Sequence, residues 1–188
     1  MTIVEKVHTD PVMGQPASDS DNTIYAKGNK ARMNLNVPGA QAFVVYDLDA
    51  KKFWVVNDAK KEVTVGSIDQ MLQMTGMMSG GTKGTAKLTE GTGSKVINGW
   101  KCKPYHLTVT GQMMNFDTDF WMTNDVDSKD LLPYKKMMYD AMNVMTNADL
   151  EKLTGLVVSS QTKMSMMGST FNSISEVKSV SKDPVPDS

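Results

Sequence analysis

Apolar and polar positions alternate with a period of two along most of this chain, which predicts strands. The first runs from Thr2 to Thr9. Asp10 to Asn22 carries Pro11, Gly14, Pro16 and a Ser/Asp alternation, and reads as a loop. Extended structure resumes at Thr23–Lys27 and Lys30–Asn36 around Gly28-Asn29, and Pro38-Gly39 marks a turn. A meander follows, Ala42–Tyr46, Lys52–Val56 and Lys61–Val65, joined by Asp/Asn-rich turns. Links this short imply antiparallel neighbours. Ala86–Ile97 and Trp100–Thr110 flank Asn98-Gly99, a hairpin signal because both positions tolerate positive φ. In Met114–Thr123, Phe116, Thr118, Phe120 and Met122 fall on one face and Asp117, Asp119, Trp121 and Thr123 on the other. Gly168 divides a Ser/Thr-rich tail, Leu156–Val180, into two more strands.

Two stretches change to a helical rhythm. Ser67-Ile68-Asp69-Gln70 has the form of a capping box, and the helix it opens stops at Ser79-Gly80-Gly81. Ile68, Met71, Leu72 and Thr75 hold helical spacing, widened by Met74 and Met78. The second region spans about Lys129 to Leu153, with Pro133 in a first turn and a stripe of Tyr134, Met138, Ala141 and Met145. Asn147 would cap a short final helix that Gly155 ends. Eight to ten strands with helices inserted between them give an α+β, mainly antiparallel β class. At 188 residues the chain reads as a single domain, 1–188.

Composition sharpens this picture at one point. Of 17 methionines, 14 follow residue 70, clustered on the helical regions and on two late strands. Methionine is unbranched and polarizable, suited to core filling and to surfaces that adapt to irregular apolar partners. The second use makes Met71, Leu72, Met74, Met78, Phe120, Met122, Met138, Met142, Met145, Met164 and Met166 the candidate lining of a site for an apolar ligand. The first makes the protein a scaffold or interaction module with a filled core. A third reading is Cu(I), since thioethers recur at Met71-x-x-Met74, Met142-x-x-Met145 and Met164-x-Met166. No His or Cys joins them.

Charge and reactive residues add little. With 20 basic and 21 acidic residues the net charge is -1, no electrostatic reason to expect nucleic acid or an anionic membrane. No run is long and apolar enough for a transmembrane helix. Cys102 is alone; Cys102 and His106 lie four residues apart on one strand, about 13 Å at ~3.3 Å per residue, too far for a dyad. Cys102 reads as a packed hydrophobe and His106 as an ordinary half-buried or surface residue. Asp47, Asp49 and Asp58 read as turn formers, since an EF-hand's Gly and Glu are missing. Gly80–Thr85 follows a helix instead of preceding one, so it is no phosphate loop. No catalytic residue, cofactor or metal is assigned, and a non-enzymatic role is expected.

Four segments carry a resemblance. Tyr25-Ala26-Lys27-Gly28-Asn29-Lys30-Ala31-Arg32-Met33 forms an entry hairpin. Tyr46-Asp47-Leu48-Asp49-Ala50-Lys51-Lys52 precedes Trp54. Val96 to Tyr105 reads Ile-x-Gly-aromatic-x-Cys-x-x-Tyr from Ile97, and Asp119 to Thr123 holds Trp-x-Thr. Together, over roughly residues 20 to 187, they resemble a family of bacterial exported proteins of unknown function related to the lipoprotein carriers of the Lol pathway. The resemblance implies a strongly curved, unclosed half-barrel with helices over its concave face and an apolar cavity between. It implies a periplasmic or outer-membrane location, with the signal peptide absent from this chain. The partners it implies are a hydrophobic small molecule, a lipid or a lipidated protein. The family's Phe-x-x-Pro-x-Gly-Tyr continuation lies beyond Ser188, trimmed or lacking here. The Gly-rich exit of the first helix makes Ile68–Met78 a candidate lid.

Overall fold

The computed structural model describes residues 1–188 except 13, 15, 38, 39, 79–83, 112, 113, 146–149, 151, 152, 167, 184 and 186–188. Its strands are β1 (Thr2–Thr9), β2 (Ser18–Lys27), β3 (Lys30–Val37), β4 (Ala40–Asp47), β5 (Lys52–Asn57) and β6 (Glu62–Ser67), then β7 (Thr85–Glu90), β8 (Lys95–Ile97), β9 (Trp100–Thr110), β10 (Met114–Thr123), β11 (Leu156–Met166) and β12 (Ser169–Ser181). Helix α1 (Ile68–Met78) follows β6; a 3-10 turn, Lys129–Leu131, leads into α2 (Leu132–Met145) before β11. All the described strands form one open antiparallel sheet, ordered β6-β5-β4-β3-β2-β1-β12-β11-β10-β9-β7, with β8 beside β9.

Turn chemistry sets the hairpins. Asn98 (φ 50) and Gly99 (φ 87) adopt the paired positive φ that their types favour. The Asp47 carboxylate accepts the Ala50 N–H at 2.9 Å, and Asn57 does the same for Lys60 at 3.1 Å. Ser67 Oγ accepts the Gln70 N–H at 3.4 Å and opens α1. The Pro38-Gly39 turn and the Asn147 cap lie outside the described residues.

Two expectations fail, and the strand number rises to twelve. Residues 18–22 are strand: Thr9, Val7 and Glu5 face Ser18, Ser20 and Asn22 in register. Loop-favouring residue types yield here to a ready ladder on β1, with Asp19 and Asp21 turned to solvent. The strand expected over Ala86–Ile97 breaks at Gly91–Ser94. Pro104, on the partner strand, has no N–H to continue the ladder; its carbonyl instead accepts the Gly91 N–H at 2.9 Å.

Register assigns the sheet's two faces. Tyr46, facing Ala31 and Phe53, meets Tyr134 of α2 in a tilted ring contact at 5.8 Å, so this row lies on the helix side. Phe120, 5 % exposed, packs with Met122, Leu150, Leu153 and Tyr139 and marks the same side on β10. A second core cluster joins Met1, Ile3, Ala26, Cys102, Leu131, Leu156, Val158 and Val177. The alternation expected for β10 holds to Phe120. It continues beyond that: Met122 joins Phe120 in one cluster and Trp121 packs against the other, while the bulge opposite them puts its extra residue, Val158, in β11.

Candidate functional site

Leu132, Lys135, Lys136 and Tyr139 recur at i, i+3, i+4 and i+7, so they share one face of α2. That face turns toward the chain segment leading into β11. The Tyr139 hydroxyl donates to the Leu153 carbonyl at 2.9 Å. Lys135 Nζ donates to the Thr154 carbonyl at 2.9 Å and to that of Gly155. Ser128 Oγ also donates to the Thr154 carbonyl, at 3.2 Å. Gly155 is required by close approach: a Cβ there would sit 2.5 Å from the Thr123 carbonyl oxygen. Between α2 and this tied-down segment lies a cavity of about 480 Å³, walled by Leu132, Pro133, Tyr139 and Leu153 with Asn29 of the β2–β3 turn at its rim.

Burial shapes the chemistry of this wall. It pushes the Lys135 ammonium down to about 8 and the Tyr139 phenol up to about 12. Among the described residues no carboxylate pairs with Lys135; its partners are the two carbonyls. Lys136 reaches Asp140 at 3.1 Å. Farther along the helix side, burial raises Tyr134, aided by Tyr46 and by Glu5. Glu5 is itself raised by burial, despite the amide of Asn22 donating to it at 3.4 Å.

The centre of the helix-side face is lined by hydroxyls. One row runs Ser20, Val7, Ser175, Ser160, Phe120, Tyr105; the next runs Ser18, Thr9, Ser173, Thr162, Thr118, Leu107. Facing hydroxyls bond: Ser160 with Ser175 at 2.9 Å, Thr118 to Thr162 at 3.1 Å, Thr9 with Ser173 at 3.4 Å.

The residues expected to line a ligand site are dispersed. Phe120 and Met122 meet in the core cluster under α2. Met164 is half-buried opposite Phe116 and Phe171. Met71 and Leu72 are half-buried on α1, whereas Met74 is 65 % exposed and Met138 44 % exposed. The side chains of Met78, Met142, Met145 and Met166 lie outside the described residues. None of the seven whose side chains are described walls the 480 Å³ cavity. The expected α2 stripe through Tyr134 and Met138 is displaced: Met137 is buried at 5 % exposure and Met138 faces out. The overlooked signal was the spacing Leu132, Lys135, Lys136, Tyr139, obscured because two of its four positions are lysines.

The remaining reactive groups are elsewhere. Cys102 is fully buried, its Sγ donating to the Trp100 carbonyl at 3.4 Å, and burial pushes the thiol up. His106 lies on the face away from the helices, its ring 2.8 Å from Asp119, 3.0 Å from Thr108 and 3.6 Å from Asp117. Among the described residues no group of three His, Cys, Asp or Glu is placed to hold a metal. None of the described helices is long and apolar enough to cross a membrane.

Residues 12–188 match the model of a family described as a domain of unknown function, DUF4412. A comparison with curated proteins returns no match.

Proposed function

We propose that this chain, which belongs to the DUF4412 family, is a non-enzymatic exported protein. Its role is to bind an apolar ligand: an acyl chain, a lipoprotein anchor or a hydrophobic peptide. The observation that carries this reading is the cavity of about 480 Å³ with walls of leucine, proline and tyrosine. That volume falls within the range of small-molecule sites, ~300–1,000 Å³. Two features support the half-barrel and the kinship with Lol-pathway carriers. Open sheets rarely exceed ~10 strands without curling, and this one has twelve. Core contacts of the helical segments fall on the side that a curled sheet would make concave. A periplasmic or outer-membrane location belongs to the same proposal.

An envelope interaction module is the second reading. The face away from the helices favours it: Phe43, Val56 and Val63 form one cross-strand row, and Val45, Trp54 and Val65 another. Val63 and Val65, on an edge strand, are 59 % and 56 % exposed. Native mass spectrometry of the protein purified from cell envelopes separates the two, together with displacement of a fluorescent acyl probe. Ligand binding predicts a co-purifying lipid mass and displacement that Leu153→Trp, which fills the cavity, abolishes. With neither signal, the ligand-binding reading fails.

A further inference from the structure

We propose that the cavity beside α2 takes a single-chain amphiphile with an anionic head, its chain against Leu132, Pro133 and Leu153 and its head at Lys135 and Lys136. The inference rests on the ligand-binding reading above and adds the sign of the charge. The argument begins with Lys135. Its side chain is mostly withdrawn from water, yet among the described residues only neutral carbonyls meet its Nζ. A desolvated cation without a counter-ion is held at a cost that an anion would offset. Burial depresses its basicity, and among the described residues no charged group offsets that.

The rest of the wall agrees. Lys136, on the same face, adds a second positive charge, and its one acidic partner, Asp140, is outside the lining. Among the described residues no carboxylate lines the cavity to repel an anion, and Tyr139 is held neutral by burial. The apolar part of the wall is adjacent: Leu132, one of its residues, is a large apolar side chain 43 % exposed. A volume of about 480 Å³ sits in the lower half of the small-molecule range, which fits one chain better than two.

The test compares ligands with one chain and three heads: decanoate, 1-decanol and decyltrimethylammonium, titrated calorimetrically into the full protein below micelle-forming concentrations. Decyl phosphate in a fourth arm separates a carboxylate from a phosphate head. The anionic ligands are expected to bind on the order of tenfold tighter than the alcohol, the scale of a charge-assisted hydrogen bond, and the cation weaker than the alcohol. Equal affinity across heads overturns the inference and leaves apolar binding standing. No binding of any of the four removes both. Lys136→Gln, which leaves the carbonyl bonds of Lys135 intact, is expected to cut the anionic preference several-fold. Location is read independently by acetylation: decanoate should shield Lys135 but not Lys87, on the opposite face. Unshielded Lys135, or an undiminished preference in Lys136→Gln, overturns the assignment.

Discussion

Replacing Lys135 by Met isolates the cost of a buried charge from the bonds it makes. The variant loses charged donors to the Thr154 and Gly155 carbonyls, and bonds from charged groups contribute about 1.5–3 kcal/mol each at most. Against this stands the burial that lowers the lysine from 10.5 to about 8. Taken whole, that shift is worth roughly 3 kcal/mol; solvent still reaches the side chain, so about 1–2 kcal/mol is the usable figure. The net loss near neutral pH is therefore about 1–5 kcal/mol, a range too wide to decide the question. The pH dependence decides more. Below pH 8 the folded and unfolded chains both carry the ammonium, and the whole burial cost is felt. Between about 8 and 10.5 the folded chain has released its proton while the unfolded chain keeps it, so the native protein gains stability as pH rises. Tyr139 and Tyr134, raised by burial, act in the opposite sense above about pH 10, but both proteins contain them and the difference cancels them. Urea midpoints of the two proteins at fixed ionic strength should diverge by about 1–2 kcal/mol between pH 7.5 and 10.5, in favour of the native lysine. A difference that stays constant to within roughly 0.3 kcal/mol, or that changes sign, refutes the claim that Lys135 is desolvated.

Two further outcomes follow from packing. Leu131, 3 % exposed in the 3-10 turn, anchors that turn in the cluster of Ile3, Cys102 and Val158; Leu131→Ala should cost about 2–4 kcal/mol in urea unfolding, and a loss under 1 kcal/mol would mean that the turn is not seated there. Among the described side chains of helix α1 only Ile68 is buried, and Met74 is largely in solvent, so amides of 70–74 should exchange faster than those of Val44 and Val55; equal protection rejects a movable α1.

Where local chemistry decides, the elements were legible from sequence alone. The Asn98-Gly99 hairpin, the Ser67 cap, the Asp47 turn and the break at Gly168 each depend on residues within a few positions of one another. What escaped depends on distant partners. Ser18–Asn22 looks like a loop until β1 supplies a ladder. The break at Gly91 follows from a proline thirteen residues later. The cavity draws on Asn29, α2 and Leu153-Thr154, three segments that no periodicity links. Its cation was also hidden by type: a lysine in an amphipathic helix ordinarily reads as solvated surface, and only the two carbonyls above it reveal the burial.

The methionine clusters pointed to a greasy interior, and the sheet qualifies that picture. Its helix-side face is apolar at β7, β9 and β10, through Leu88, Leu107, Tyr105 and Phe120. Across β11, β12, β1 and β2 the same rows become serine and threonine. Ser160 and Ser175, Thr118 and Thr162, and Thr9 and Ser173 bond one another in pairs, so much of the strip supplies its own hydrogen-bond partners. A chain of methylenes gains nothing by lying on such a strip, because it would cover hydroxyls without giving them partners. The same face is apolar again in the row Phe116, Met164, Phe171, so the proposed apolar ligand would find three places where the hydroxyls stop: that row, the aromatic patch around Phe120 and the cavity beside α2. Of these, the patch is already covered by Leu150, Leu153 and Tyr139. The cavity is open, and in the proposed complex the charge on its wall would select which end of an amphiphile stays with Lys135.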